Sequence, residues 1–180
     1  MSDIKKLQEY VSGADIVLFA AELVGSQRKS KGLKFLLQTE LEFSRSKDSD
    51  TTQTKDGPIT TTSTHEMELS FTHLVSRGDP AVSMLENAYD HDSVIELWMV
   101  DKKDKGTETN AGKYSALYMQ GVLTEYTMTY SAEDPAEGEG TFAINGTPVR
   151  GYVTLSEEQE ALLSYDFRDI TATENHSESL

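Results

Sequence analysis

The stretch LKFLLQTELEFSRSKDSDTTQTKDGPITTTSTHEMELSFTHLV, residues 33–75, decides how this chain is read. Leu33, Phe35, Leu37, Leu41 and Phe43 share one parity, as do Met67, Leu69 and Phe71 further on. Successive side chains of a strand point to opposite faces, so strict alternation predicts two half-buried β-strands, each with one face on a core and one face free. The free faces carry Glu40 and Glu42 before the intervening segment and Glu66, Glu68 and Ser70 after it. Two neighbouring strands are therefore expected to project carboxylates from the same side.

Residues 47–63, KDSDTTQTKDGPITTTS, lie between those strands. Connections in compact domains usually run to about 4–6 residues, so this one reads as too long and too polar for a tight hairpin. Asp56-Gly57-Pro58 is a turn signal at its centre. The segment is expected to be a projecting loop that gains order by meeting another surface.

Outward from this unit, the chain reads as a mainly β domain with decorated ends. Residues 1–13 place Ile4, Leu7 and Val11 at helical spacing, as in a short amphipathic arm. ADIVLFAAELV, residues 14–24, is a strand apolar on both faces, and GSQRKSKG, residues 25–32, is a basic loop able to pair with acidic surface on a partner. Asp79 and Pro80 are suited to the N-cap and first turn of a helix over residues 80–90, so the Arg77-Gly78-Asp79 triplet has a structural use and is not read as an adhesion motif. SVIELWMVD, residues 93–101, is a central strand with Ile95, Leu97 and Met99 on one face and Glu96 and Trp98 on the other. Residues 113–131 alternate, with Tyr114, Tyr118, Tyr126 and Tyr130 on even positions. Residues 132–140 read as an acidic turn, and Asn145-Gly146 as the hairpin turn between two short strands. Ser156 and Gln159 form a capping-box pattern, and residues 171–180 read as a flexible tail.

The 180 residues carry 31 acidic against 16 basic side chains, a net charge of -15, and no cysteine. Phosphate-neutralising contact with nucleic acid needs clustered Lys and Arg, so specific DNA or RNA binding is disfavoured, whereas an acidic wall that lets a phosphate backbone slide past is compatible. No disulfide framework or thiolate site exists without cysteine. No segment approaches the roughly 20 apolar residues of a membrane span, and the N-terminus lacks an apolar signal region, so neither membrane insertion nor signal-directed export is expected.

Nothing in the chain points to catalysis. His65 and His73 lie eight residues apart on one strand, which is roughly 26 Å and too far to share a metal. Asp48 and Asp50 begin like a calcium loop, but Ile59 stands where the bidentate acid belongs. Asp90-His91-Asp92 falls at a helix end, and no phosphate loop or nucleophile elbow is present. No catalytic residue, no cofactor site and no metal site is expected.

A series of short landmarks goes further than composition. Gln38-Thr39-Glu40, Thr54-Lys55-Asp56-Gly57-Pro58-Ile59, Arg77-Gly78-Asp79, Glu86-Asn87-Ala88-Tyr89, Ile95-Glu96-Leu97-Trp98, Lys113-Tyr114 and the run from Phe142 to Val149 occur in order. Together they resemble the major tail protein, or tail tube protein, of siphophages over about residues 15–155. The resemblance implies a β-sandwich or barrel of two packed sheets with one flanking helix, a domain over residues 14–170, and extended terminal arms. It also implies a structural, non-enzymatic subunit: homo-hexameric rings stack into a hollow tube that conducts genomic DNA to the host without specific binding. A tape measure protein would lie inside, with tail terminator and distal tail proteins at the ends. The protein would reside in the virion tail, and in the host cytoplasm during assembly. Asp48, Asp50, Thr54, Lys55, Asp56, Gly57, Pro58 and Ile59 become candidate inter-ring contacts, and Glu40, Glu42, Glu66 and Glu68 candidate lumen residues. Two rival readings share parts of this pattern. One is the tube of a contractile tail or type VI secretion-like apparatus. The other is an acidic carbohydrate-binding β-sandwich, for which the even-position tyrosines would have to form a flat exposed face.

Overall fold

The computed structural model describes residues 10–25, 27, 28 and 30–163. The strands are β1 (Ile16–Val24), β2 (Gln27–Arg28), β3 (Leu33–Lys34), β4 (Gln38–Ser46), β5 (Ser49–Thr54), β6 (Gly57–Thr62), β7 (Glu66–Leu74), β8 (Val94–Lys105), β9 (Tyr114–Thr129) and β10 (Glu137–Val153). Helix α1 (Pro80–Asp90) links β7 to β8, and a one-turn helix α2 (Glu157–Ala161) follows β10. Eight strands form one antiparallel sheet in the order β2-β1-β8-β9-β10-β7-β4, with β3 also on β1, while β5 and β6 pair separately. The mainly β architecture with one flanking helix is the one expected, and its packed layers are two halves of a single curled sheet. The terminal arms fall largely on residues 1–9 and 164–180, which lie outside the described residues, as does the tail over 171–180.

The curl closes through a corner that alternation alone hid. Residues 33–43 were expected to be one strand. Instead β3 ends at Lys34, the chain turns through Leu37 at φ 52°, and β4 begins on the opposite edge of the sheet. Phe35 drops between the halves, fully buried, and stacks on Phe71 with ring centroids 4.9 Å apart. The Gln38 side chain then bridges the edges. Its Oε1 accepts from the Leu18 N–H at 3.0 Å, and its Nε2 donates to the carbonyls of Leu18 and Phe35, each at 3.0 Å. A side-chain amide thus satisfies backbone groups that a neighbouring strand would otherwise meet.

Inside the curl, Leu18, Ala20, Leu69, Phe71, Ile95, Leu97, Met119, Leu123 and Phe142 pack with Ala81, Leu85 and Ala88 of α1. Helix α1 starts as its sequence dictates, with Asp79 Oδ1 accepting from the Ala81 N–H at 2.9 Å and Pro80 in the first turn. Ser156 and Gln159 likewise form the capping box that opens α2.

The sheet's outward face divides in two. Over β1, β8 and the first part of β9 it is apolar, with Phe19, Val100, Tyr114 and Ala116 buried beneath Val153, Leu155 and Leu163. Over β4, β7, the first part of β10 and the last part of β9 it is bare and acidic. The basic loop after β1 is used within the chain: Arg28 Nε bonds Glu96 Oε2 at 2.5 Å and Lys31 pairs with Glu158, so Arg28 and Lys31 are not reserved for a partner.

Candidate functional site

The acidic half of the outward face is the most distinctive surface of the molecule. Cross-strand register arranges it in rows. Glu40, Thr72, Glu139 and Thr127 form one row, Glu42, Ser70, Thr141 and Glu125 the next, and Ser44, Glu68, Ala143 and Val122 the third. Glu66 sits opposite Ser46 at the start of β7. Carboxylates are therefore interleaved with hydroxyls and small side chains, and no two stand directly opposite on adjacent strands. Like charges facing each other across strands destabilise a sheet, so this spacing lets the face be acidic without straining the pairing. Ser70 and Thr141 hydroxyls meet at 3.1 Å between the carboxylate positions. Glu40, Glu42, Glu125 and Glu139 rim a shallow hollow floored by Phe71 and Gly140. No Lys or Arg occupies an outward position of these rows.

All four glutamates named from parity, Glu40, Glu42, Glu66 and Glu68, are exposed on this face. Glu125 and Glu139 were missed. Glu125 faces outward because β9 bulges at Thr124: Leu123 pairs with Phe142, but Glu125 pairs with Thr141. One extra residue reverses the parity of everything after it. Glu139 lay in a segment read as an acidic turn, whereas Glu137 to Gly140 belong to β10. The signal was present as Gly138-Glu139-Gly140, in which the inward residues are glycines because large rings occupy the space. An added Cβ would lie 2.5 Å from His73 Nε2 at Gly138 and 2.6 Å from Phe71 Cζ at Gly140.

The same bulge disposes of a flat tyrosine face. Tyr114 is buried on the outward apolar half and Tyr118 donates its hydroxyl to Glu96 Oε1 at 2.8 Å, while Tyr126 turns into the core side and only Tyr130 is well exposed. Burial pushes the Tyr126 hydroxyl up to about 12. Asn145-Gly146 is likewise not a hairpin turn. Strand β10 stays paired with β9 on both sides, and Gly146 to Pro148 bulge out of register with Gly146 at φ 69°.

Glu96 anchors the boundary between the two outward halves. Burial alone would push its carboxyl up, but the hydrogen bonds from Arg28 and Tyr118 outweigh that and hold it below the usual carboxylate range. Arg28 also stacks on Trp98, 4.8 Å from the ring centroid.

Residues 47–63 correct the expectation of an irregular loop. β5 and β6 pair from Ser49–Thr62 to Thr54–Gly57, a tight hairpin whose two turn residues are Lys55 and Asp56. Thr54 Oγ1 donates to the Gly57 carbonyl at 2.6 Å, and Gly57 takes φ 123°. Thr51 and Thr60 hydroxyls meet across the ladder at 3.1 Å. Asp48, Asp50, Thr54, Lys55, Asp56, Pro58 and Ile59 are all exposed and Gly57 is partly so, since both ribbon faces stand clear of the core. Two short strands without a core are marginal alone.

Comparison with known proteins agrees with this fold. The profile of the family described as phage tail tube protein matches residues 11–150. A protein of Staphylococcus phage phiMR25, described provisionally as a tail protein, is 31% identical over 146 residues, covering 79% of this chain and 76% of its own length. Among solved structures, the SPP1 tail tube superposes with a TM-score of 0.71 at 18% identity, covering 92% of this chain and 96% of that one. The tail of a gene transfer agent particle, refined with C6 symmetry, gives 0.56 at 12% identity over 77% and 96%. A chain of the sheath-tube complex of an extracellular contractile injection system also gives 0.56 at 12% identity, over 85% and 99%.

Proposed function

This chain belongs to the phage tail tube protein family, and on that footing we propose how it serves as the subunit of a siphophage tail tube. Copies close into hexameric rings, rings stack into a hollow tube in the virion tail, and genomic DNA passes along the bore. The acidic half of the outward face lines that bore. The carrying observation is the row arrangement of Glu40, Glu42, Glu66, Glu68, Glu125 and Glu139 with no cation among them. DNA binds a protein by exchanging condensed counterions for Lys and Arg, and a wall without either offers its phosphates no such exchange. Mutual repulsion keeps the backbone off the wall, so DNA moves through without adhering.

The β5–β6 hairpin is the inter-ring element. Its strands present unpaired edges and polar faces that a neighbouring ring can complete, through Asp48, Asp50 and the segment from Thr54 to Ile59. The subunit carries no catalytic role. A tape measure protein within the bore and terminator and distal tail proteins at the two ends complete the set of partners, and assembly takes place in the host cytoplasm.

Negative-stain electron microscopy of the purified protein over a concentration series tests this reading. Rings and hollow tubes are the expected result. A protein that stays monomeric at every concentration, including when seeded with preformed tail tips, overturns it.

A further inference from the structure

We propose that residues 154–163 form a strap that restrains assembly: in the free subunit they mask an apolar face that a second copy of this chain covers in the tube. The proposal rests on the tail tube reading and adds a partner surface and its control to it.

The masked face is built from outward positions of β1, β8 and β9, where solvent would be the default neighbour. Phe19, Val100, Tyr114 and Ala116 are buried there, with Trp98 partly so. Their cover is thin. Helix α2 has five residues and buries none of them. A cleft floored by Phe19, Trp98 and Val100 stays open beneath Val153, Leu155 and Gln159. Leu162, within the strap, remains exposed. The strap is held by polar contacts at the surface: Lys31 with Glu158, Lys34 Nζ with the Leu162 carbonyl at 2.9 Å, and Gln159 Nε2 with the Gly32 carbonyl at 2.7 Å. The Lys31 and Glu158 side chains are 59% and 77% exposed, so water can replace that pair at little cost.

The occupant follows from the contrast between the two halves of the outward face. Burying the acidic half against protein would desolvate six carboxylates without partners. The apolar half can be buried with a gain, as the fully covered centres of subunit contacts are. In a wall made of copies, a second subunit is the available cover. The tethered strap competes with it at high effective concentration and so slows association.

The chain has no cysteine, so the strap can be locked selectively. In the Lys31→Cys/Glu158→Cys variant a short bismaleimide bridges the loop to α2. The bridged subunit is expected to stay monomeric where the unbridged variant forms tubes, and a chain ending at Val153 to polymerise at least about tenfold faster by light scattering. Bridged protein that builds tubes at the unbridged rate overturns the proposal, and it does so without depending on how the shortened chain folds. A wild-type protein that builds no rings or tubes at all overturns the tail tube reading itself, which is a different result.

Discussion

His73 is the most deeply buried polar side chain among the described residues. Its ring is fully buried, stacked with Phe35, Phe71 and Tyr126 at centroid distances of 6.1, 5.9 and 6.4 Å. Its Nδ1 and the nearby Asp79 Oδ2 are buried without hydrogen-bond partners among the described residues. Burial holds the imidazole below its ordinary 6.5, against weaker opposing effects of the Leu74 backbone and Asp79. The folded state therefore keeps the ring neutral, whereas the unfolded chain takes up a proton once pH falls below 6.5. Stability from this site is complete above that pH and declines as pH drops towards the folded value. Urea midpoints at pH 7.5, 6.5 and 5.5 should fall across the last interval. His73→Gln should flatten that fall while lowering the midpoint at pH 7.5, because the stack is lost. An unchanged slope would remove His73 as the source of the pH dependence. Glu96, held low by Arg28 and Tyr118, adds its own loss only below 4.5, so the two windows separate. The glycines opposite this stack give a prediction of opposite sign to simple propensity. Alanine ordinarily stabilises a strand relative to glycine, yet Gly138→Ala and Gly140→Ala should each cost about 1–3 kcal/mol, because the new methyl meets His73 or Phe71. A rise in the denaturant midpoint for either variant would refute the packing argument.

At the scale of elements, the hairpin and the rest of the domain are separable. Ser46 pairs with Glu66 at the base, and no hairpin residue contributes to either core cluster. Deleting residues 51–61 should leave circular dichroism and thermal melting close to wild type while abolishing tube growth. Full-length tubes from the shortened protein would remove the hairpin from its inter-ring role. This element also marks where sequence reading stopped. The alternation of Met67, Leu69 and Phe71 is local, was legible, and all three are buried. So was α1, whose start is written in Asp79 and Pro80. The hairpin was not, because its threonines favour strand conformation without any apolar face to give it a period. The corner at Leu37 and the bulges at Thr124 and Gly146 were also unreadable. Each is decided by how strands pair and not by the local residue pattern, and apolar alternation runs through a corner much as it runs through a strand. Glu125 was lost for that reason alone, while Glu40, Glu42, Glu66 and Glu68 were found because β4 and β7 stay in register between Glu40 and Ser46.

For the whole molecule, one sheet serves three environments: a shared core within the curl, an apolar outward half under the strap, and an acidic outward half left bare. If the bare half lines the bore, the position of charge matters more than its total. Replacing Glu40, Glu42, Glu125 and Glu139 by Lys changes the net charge by +8, from -15 to -7, so the subunit stays acidic. These four positions are exposed and already unpaired across strands, so folding should be spared. Tubes of this variant should retain DNA at low salt and release it steeply as salt rises, because each new lysine displaces about one counterion per phosphate contact. Particles carrying it should deliver DNA poorly. A control with Asp90, Glu108, Glu133 and Asp134 changed to Lys reaches the same -7 at exposed sites outside the paired rows. Net charge alone predicts equal retention by both variants, and an acidic bore predicts retention by the first alone. Equal retention, or normal delivery by the first variant, would therefore place the acidic face on the outside of the tube.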